Sequence, residues 1–348
     1  MDWYAENCRW LPWRSTQDPY HIWVSEIMLQ QTRVDTVIGY YRRFLRRFPD
    51  VADLAAAGLQ DVLKLWEGLG YYARARNLHQ AAGIVNRQYH GRVPYSRADF
   101  IALPGVGSYI AAAVLSIAYE QPYAAVDGNV KRVLSRIYAA AVPVNGPGAA
   151  AFYQGLADDL LERERPGIFN QAVMELGALV CRPAGPDCGS CPVRDLCMAQ
   201  RRGDVQSFPV RKKRRSVPTY RLAAAVIRKK GRILIVCRPE NGLLGGLWEF
   251  PGGEMQSGES PEDAGLRLTR KTVGLNTGAV HYLTRVKHAY THFKVEADVL
   301  ICDYHSGRVR LNGPADFRWI SPRSLGRYPL TGMTRKFLPK LVKMLSSA

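Results

Sequence analysis

The sequence predicts a multi-domain protein in which an all-α domain is followed by an α/β domain. Its 348 residues exceed the usual size of one domain and suggest about two. From Asp18 to about Ala199, apolar residues recur with helical spacing and almost never alternate with period two. Beyond Arg221, short apolar segments bounded by turn residues predict strands. The predicted limits are an all-α domain at 1–200, a linker at 201–220 and an α/β domain at 221–348.

The composition points toward an anionic partner. Lys and Arg number 48 against 30 Asp and Glu, a formal net charge of +18 with a pI near 9.8. Nucleic acid is the leading candidate, although a basic surface can also serve solubility alone. The longest apolar run, residues 109–119, is shorter than the roughly 18 residues that span a membrane, and no signal peptide is visible. We therefore expect a cytoplasmic protein with no membrane partner.

Cap signals place the helices of the first domain. Asp18 followed by Pro19 predicts an N-cap and the first helical position. Residues 32–35 and 96–99 both have the pattern of a capping box, a polar N-cap followed by an acid three positions later. Gln31 is then expected at a corner between two helices.

The linker is basic, and secondary-structure signals change after it. The 21 residues 201–221, the linker with the residue after it, carry eight cations against Asp204 as the single acid, and Pro209 and Pro218 interrupt the segment. The cations are Arg201, Arg202, Arg211, Lys212, Lys213, Arg214, Arg215 and Arg221. Strands are predicted at 222–227, 232–237 and 294–301, and a closing helix at 330–345.

A second basic run lies inside the helical domain. Arg42, Arg43, Arg46 and Arg47 fall on one predicted helix. Two interpretations stay open, contact with phosphates or a solvated helix face.

Four of the seven cysteines cluster within seventeen positions. They are Cys181, Cys188, Cys191 and Cys197, whereas Cys8, Cys237 and Cys302 stand apart. Without a secretion signal, clustered cysteines suggest a metal site before disulfides. Four thiolates suit either tetrahedral zinc or a 4Fe-4S cluster, and ligand chemistry alone does not choose between them.

Residues 103–108 separate two helical runs with a glycine-rich turn. Gly105 and Gly107 would let the backbone approach a phosphate, which the next helix N-terminus could bind. Asp127 begins another helix, where an aspartate is most often only an N-cap.

The combination of hairpin, aspartate and cysteine loop resembles the endonuclease III superfamily of DNA glycosylases. The resemblance implies a helix-hairpin-helix fold, a structural 4Fe-4S cluster on loop 181–197, and DNA-backbone contacts by Gly105, Val106 and Gly107. It also implies that Asp127 faces the sugar of the target nucleotide. Strand-cutting members have a lysine two residues after the second hairpin glycine, where this chain has Tyr109. Without that amine no Schiff base forms, which predicts a monofunctional enzyme.

Further motifs resemble the adenine DNA glycosylase (MutY) family. They lie at residues 11–14, 18–20, 25–32, 68–74, 169–171 and 175–178. The resemblance covers essentially the whole chain. It implies a base excision repair enzyme that flips adenine out of duplex DNA and hydrolytically removes it when it is paired with 8-oxoguanine or guanine.

Two carboxyl groups fit this chemistry. Adenine departs more readily once a ring nitrogen is protonated, and the sugar becomes oxocarbenium-like, so one carboxyl must be an acid and the other an anion. Glu26 has apolar sequence neighbours that should raise its pKa, and we expect it to act as general acid and then base. Asp127 should be kept ionised by its helix N-terminus and stabilise the sugar cation.

The resemblance assigns further roles. Trp13, Arg14, Leu29 and Gln171 would line the adenine pocket. Tyr109 would lie near the acid and Asn129 would support Asp127. Gln31 and Tyr71 would enter the duplex beside the lesion.

Residues 247–254 look like the start of a Nudix box, a magnesium-dependent hydrolase motif. Glu259 and Arg267 follow, but residues 268–272 lack the acidic run that magnesium needs. The resemblance therefore implies a Nudix-like domain without hydrolase activity that recognises 8-oxoguanine, through Tyr290, Thr291 and His292. Many family members have Phe-Ser-His at these positions. A His-x-x-x-His metal site, His288 with His292, lacks a third ligand.

Two alternatives are weighed beside the glycosylase. One is an iron–sulfur protein that binds DNA lesions without cutting, and the other is a Nudix hydrolase fused to a DNA-binding arm. The intact pair Glu26 and Asp127 argues against the first, and the incomplete box against the second. We further expect a monomer, associated with the nucleoid of a bacterial cell.

Overall fold

The computed structural model describes residues 1–213 and 216–346, and it divides the chain into two compact units. The first comprises Met1–Ala56 and Asn77–Arg214, and the second comprises Ala57–Arg76 and Arg215–Ala348. Arg214 and Arg215 of the predicted linker lie outside the described residues. Within the described ranges, no helix combines the length and apolarity needed to cross a bilayer.

The first unit is helical, as the sequence predicts. The helices of the chain up to the linker are α1 (Asp2–Asn7), α2 (Pro19–Leu29), α3 (Val34–Arg47), α4 (Val51–Ala56), α5 (Leu59–Trp66), α6 (Ala73–Gln88), α7 (Arg97–Ile101), α8 (Ser108–Tyr119), α9 (Gly128–Ile137), α10 (Ala149–Leu160), α11 (Pro166–Leu179) and α12 (Met198–Arg202). α5 belongs to the second unit, and α6 straddles the division. Helices α2, α8, α9 and α11 pack on one another, and Trp23, Phe44 and Phe100 are fully buried.

Three predicted N-caps are confirmed and one is wrong. Asp18, Ser96 and Asp127 each accept a hydrogen bond from a backbone N–H of the helix that follows. α3, however, begins at Val34 with no side-chain cap. Thr32 lies in the preceding turn instead, and its hydroxyl donates to the carbonyl of Gln30 at 3.3 Å.

The described part of the predicted linker packs on the first unit. Phe208 is buried, and the N–H of Val144 donates to the carbonyl of Val210 at 3.0 Å. The N–H of Lys212 donates to Oδ1 of Asn145 at 2.9 Å. Residues 201–213 are therefore held by hydrogen bonds and apolar contacts, and the limits predicted for the domains stay predictions.

The second unit is built on a seven-stranded mixed sheet. Its elements are β1 (Thr219–Lys229), β2 (Arg232–Cys237), β3 (Trp248–Glu249), β4 (Gly252–Glu254), α13 (Pro261–Val273), β5 (Asn276–Ala289), β6 (Lys294–Ser306), β7 (Asp316–Ile320) and α14 (Gly332–Ser346). The main path of the sheet runs β3-β2-β1-β6-β5, with β4 paired to β1 and β7 paired to β2. β1 and β6 are parallel, and β5 and β6 are antiparallel.

One helix covers each face of this sheet. Ala225 and Ile227 of β1 pack in one apolar cluster with Leu268 of α13, and Val226 packs in another with Phe337 of α14. This division follows from the alternation of side chains along a strand. The predicted order of an all-α domain followed by an α/β domain is confirmed.

The segment 57–76 packs within the second unit although it precedes the linker by more than a hundred residues. Nε1 of Trp248 donates to Oε1 of Gln60 at 2.9 Å. The N–H of Leu330 donates to Oε1 of Glu67 at 2.9 Å.

Candidate active site

Glu26 is a carboxyl inside an apolar helix. α2 begins at Pro19 behind the Asp18 cap and ends at Leu29, and every residue from Ile22 to Met28 is buried. Glu26 itself is 5% exposed. Burial, the largest influence, raises the pKa of Glu26 to about 7. The negative charge of Asp127 adds to the increase, whereas the hydrogen bond from Tyr109 and the positive charge of Arg14 reduce it. The predicted direction of the shift is confirmed.

Tyr109 donates a hydrogen bond to that carboxyl. It lies in the first turn of α8, and its hydroxyl donates to Oε2 of Glu26 at 2.6 Å. Burial and the neighbouring carboxyl raise the pKa of Tyr109 well above its usual value. The phenol therefore stays a donor over the whole neutral range.

Asp127 caps α9 and is held at both oxygens. Oδ1 accepts from the N–H of Val130 at 2.7 Å, and Oδ2 accepts from Nδ2 of Asn129 at 3.0 Å. Burial raises the pKa of Asp127, and the hydrogen bonds from Val130 and Asn129 together with nearby Arg132 only partly offset it. The sequence predicts that the helix N-terminus keeps this carboxyl ionised; the hydrogen bonds at that terminus do lower its pKa, but burial has the larger effect.

Asn129 is fixed by its own neighbours. Its Oδ1 accepts from Arg132 at 2.8 Å. α11 approaches closely at Gly177, where an added Cβ would lie 2.7 Å from the Cβ of Asn129. The glycine therefore allows the close packing that sets the position of Asn129.

Both carboxyls open into one cavity of about 510 Å³ in the first unit. Nine of the residues predicted for the site line it: Trp13, Arg14, Glu26, Leu29, Gln31, Tyr109, Asp127, Asn129 and Gln171. A volume of this order suits a small organic group such as a purine with part of its sugar.

An ion cluster that the sequence did not predict lies on the wall of this cavity. Glu175, with its side chain 1% exposed, accepts two hydrogen bonds each from the guanidinium groups of Arg9 and Arg14, at 2.7–3.0 Å. Burial alone would raise the pKa of Glu175, but these hydrogen bonds lower it to about 2. A signal was available, because Glu175 is the only charged residue of α11.

The predicted DNA-backbone hairpin joins α7 and α8. Gly105 has φ +77°, and an added Cβ would lie 2.7 Å from the Cβ of Asn77. Gly107 is the N-cap of α8 and supplies no side chain to the helix terminus, while Val106 is buried. The first N–H groups of α8 thus have no side-chain cap, as a phosphate site at a helix N-terminus requires.

The two residues expected to enter the duplex share a backbone conformation. Gln31 has φ 58° and Tyr71 has φ 49°, both in the left-handed region that side chains seldom adopt. Gln31 is exposed at the corner between α2 and α3, and Tyr71 is 42% exposed in the second unit. Backbone strain of this kind concentrates at functional sites.

The predicted recognition loop connects β5 and β6 in the second unit. The N–H of Tyr290 donates to the carbonyl of Phe293, and the Tyr290 ring packs between His288 and Phe293 with centroids 4.5 and 4.8 Å away. Thr291 and His292 are exposed. The hydroxyl of Thr291 donates to that of Tyr71 at 3.1 Å. The structure thus brings together two of the residues assigned to the lesion.

The four clustered cysteines line one small cavity of the first unit. Arg136, 1% exposed, lies among them. Its Nη1 donates to Sγ of Cys181 at 3.3 Å, and its carbonyl accepts from Sγ of Cys197 at 3.4 Å. In the described ranges, no three Cys, His, Asp or Glu residues are grouped as they would be around a single metal ion.

In the incomplete Nudix box, Glu259 is already paired. Arg267 donates to both of its carboxylate oxygens at 2.6 Å. These hydrogen bonds lower the pKa of Glu259 to about 2.

Comparison with known proteins agrees with this arrangement. A family model described as HhH-GPD superfamily base excision DNA repair protein matches residues 24–143, and a NUDIX domain model matches residues 223–340. The adenine DNA glycosylase of Homo sapiens is 34% identical over 377 residues, an alignment that covers 92% of this chain and 69% of the relative. The chain belongs to the adenine DNA glycosylase family.

Other relatives in this family are as similar. The adenine DNA glycosylase of Mus musculus is 36% identical over 86% of this chain and 68% of its own length. The adenine DNA glycosylase of Buchnera aphidicola subsp. Schizaphis graminum is 34% identical over 72% of this chain and 73% of its own length. Adenine DNA glycosylases are enzymes, and this chain is accordingly a DNA glycosylase of base excision repair.

Two solved structures support the fold of a little over half of the chain. A thermostable thymine-DNA glycosylase aligns with a TM-score of 0.53 at 31% identity, over 58% of this chain and 93% of its own. A trapped endonuclease III–DNA covalent intermediate aligns with a TM-score of 0.50 at 23% identity, over 58% of this chain and 92% of its own. This similarity supports the fold alone.

Proposed function

We propose that this adenine DNA glycosylase family member hydrolytically removes adenine paired with 8-oxoguanine or guanine in duplex DNA, without cutting the strand. The observation that carries the proposal is the cavity with Glu26 and Asp127 on its wall. It is large enough for a flipped adenine, and it holds one carboxyl whose pKa of about 7 allows it to donate a proton near neutral pH.

The two carboxyls take different roles. Glu26, held by Tyr109, donates its proton to N7 of adenine, which turns the base into a better leaving group. Asp127, aligned by the α9 terminus and Asn129, stabilises the positive charge that develops on the sugar. Glu26 then accepts a proton from the attacking water. Tyr109 stands where strand-cutting relatives of the superfamily need an amine, so strand scission is not expected.

Adenine recognition would use the walls of the cavity. Trp13 and Leu29 offer apolar surface to the base, while Arg14 and Gln171 offer polar groups. Arg14 is held in place by Glu175, so the missed ion cluster would help to fix the shape of the pocket.

The opposite base would be read by Thr291 and Tyr71. Both hydroxyls lie on the surface of the second unit and within hydrogen-bonding distance of each other. A threonine keeps the hydroxyl that serine offers in many relatives.

We infer that Cys181, Cys188, Cys191 and Cys197 hold a 4Fe-4S cluster. They converge on one cavity, and among the described residues the buried guanidinium of Arg136 has no carboxylate within 4.0 Å. An anionic centre would balance that charge, which fits a thiolate-bound cluster. The cluster would brace loop 181–197. We expect a yellow-brown protein that absorbs at about 400 nm and contains about four iron atoms per chain. A colourless zinc protein would contradict this.

Partners and location follow the same reasoning. The preferred partner is duplex DNA with adenine opposite 8-oxoguanine or guanine, bound by a monomer. The bacterial, nucleoid-associated location stays a prediction, because relatives come from animals as well as bacteria.

The proposal is tested with three duplexes that carry adenine opposite 8-oxoguanine, guanine or thymine. Free adenine is expected from the first two and little from the third. The DNA strand should stay intact until alkali is added. No adenine from the first duplex would refute the proposal, and scission without alkali would refute its monofunctional part.

A further inference from the structure

We propose that α3 carries a second DNA-binding surface outside the adenine cavity. This surface, the arginine band, consists of Arg42, Arg43, Arg46 and Arg47 with the indole of Trp10 beside them. It binds the phosphate backbone of the duplex flanking the lesion, without reading sequence. The proposal rests on the proposed function only in taking duplex DNA as the substrate.

The arginine band is a concentration of uncompensated positive charge. All four guanidinium side chains are exposed. Residues four apart on a helix are neighbours, so the pairs 42/46 and 43/47 form two adjacent ridges. In the described ranges none of the four has a carboxylate within 4.0 Å, and the single acid of α3, Asp35, is paired with Arg33.

Three of the four side chains are ordered against aromatic rings. The guanidinium carbon of Arg42 lies 5.7 Å from the centroid of Trp10, that of Arg43 lies 4.5 Å from Tyr40, and that of Arg47 lies 5.0 Å from Phe48. A ring contact restricts the rotamers of an arginine but leaves its N–H edges free for phosphate oxygens.

Trp10 marks this surface as a binding site. Its side chain is 71% exposed, which is unusual for the largest apolar residue. A basic surface with an exposed indole is typical of nucleic-acid binding, where a ring can pack on sugar or base.

The position of α3 favours DNA over an acidic protein. Gln31, Thr32 and Val34 at the start of this helix line the adenine cavity, so a duplex that delivers a nucleotide there passes its first turn. With 14 residues α3 is about 21 Å long, which corresponds to about six base pairs of duplex. The arginine band therefore lies within reach of phosphates up to about that distance from the flipped nucleotide.

The test is the salt dependence of binding to an undamaged duplex. The variant R42Q/R43Q/R46Q/R47Q should bind more weakly, with the slope of log K against log salt reduced by about 0.9 for each phosphate that the protein no longer neutralises. The matched control R87Q/R92Q/R163Q/R165Q removes the same charge from four exposed arginines of the first unit. It should keep a slope close to that of the unchanged protein.

A quadruple variant with the full slope, or a control whose slope falls as much, would overturn the proposal. Because no base is excised, failure here is distinguishable from failure of the proposed function.

Discussion

Glu26 and Asp127 differ in the hydrogen-bond donors around them. Glu26 is buried and accepts from a neutral phenol, whereas Asp127 is partly buried and accepts from a helix N-terminus and from Asn129. Buried carboxyls with few donors hold their protons to higher pH. This contrast is the physical basis for assigning Glu26 as the acid and Asp127 as the anion.

Tyr109→Phe tests the environment of Glu26. If protonated Glu26 is required, the excision rate falls as pH rises through about 7. The Tyr109 hydroxyl lowers the pKa of Glu26, so its removal should move this alkaline limb to higher pH. Single-turnover excision rates across the pH range give the pH at which the rate falls. If that pH is unchanged or lower in Tyr109→Phe, this account is contradicted.

Glu175→Gln tests the ion cluster. The change leaves Arg9 and Arg14 without their anion, and we expect the free energy of unfolding to fall by about 2 kcal/mol. Glu175 has a folded-state pKa of about 2, below its usual 4.5, so its stabilisation is present above about pH 4.5 and is lost as pH falls toward 2.

Denaturant unfolding at neutral pH and at low pH checks both statements, with Glu164→Gln at an exposed position as the control. A loss of stability for Glu175→Gln no larger than for the control would count against the cluster.

At the scale of secondary-structure elements, the helix termini position the residues of the site, and only some of them could be predicted from the sequence. The caps at Asp18 and Asp127 were predictable because a short polar side chain precedes an apolar helix. The pattern at residues 32–35 misled, because the left-handed turn at Gln31 moves the start of α3 to Val34. The pairing of Arg9 with Glu175 spans 166 positions, and local patterns hold no information at that distance.

Two glycine-to-alanine changes test how closely α11 must pack. A methyl group added at Gly177 would lie 2.7 Å from the Cβ of Asn129, whereas one added at Gly155 of α10 would meet no atom of another element within 4 Å. Gly155→Ala should stabilise the protein by about 0.5–1 kcal/mol, because alanine is the better helix former.

Gly177→Ala should instead destabilise the protein by about 1–3 kcal/mol and slow excision, because Asn129 must move. Thermal unfolding and single-turnover rates report the two effects. Equal effects of the two substitutions would contradict the close packing of α11 on Asn129.

At the scale of the whole molecule, the residues proposed for the chemistry and those proposed for lesion reading belong to different units. The carboxyls and the adenine cavity lie in the first unit, whereas Tyr71 and Thr291 lie in the second. The order of all-α and α/β domains was predictable from hydrophobic spacing. The inclusion of residues 57–76 in the second unit was not, because it depends on long-range pairs such as Gln60 with Trp248.

This division predicts the effect of Thr291→Ala. Loss of the hydroxyl should lower the excision rate for adenine opposite 8-oxoguanine more than for adenine opposite guanine, so the ratio of the two rates falls about tenfold, as for one lost hydrogen bond. Parallel single-turnover measurements on the two duplexes give this ratio. An unchanged ratio would remove Thr291 from lesion reading.

The central claim is that Glu26 supplies the proton that releases adenine. Its most direct test is the single-turnover release of adenine by Glu26→Gln from a duplex with adenine opposite 8-oxoguanine, with binding to the same duplex measured in parallel. Glutamine keeps the shape and accepts the hydrogen bond from Tyr109 but has no acidic proton. We predict retained binding and a rate at least about 100-fold lower; a rate near that of the unchanged protein would contradict the account.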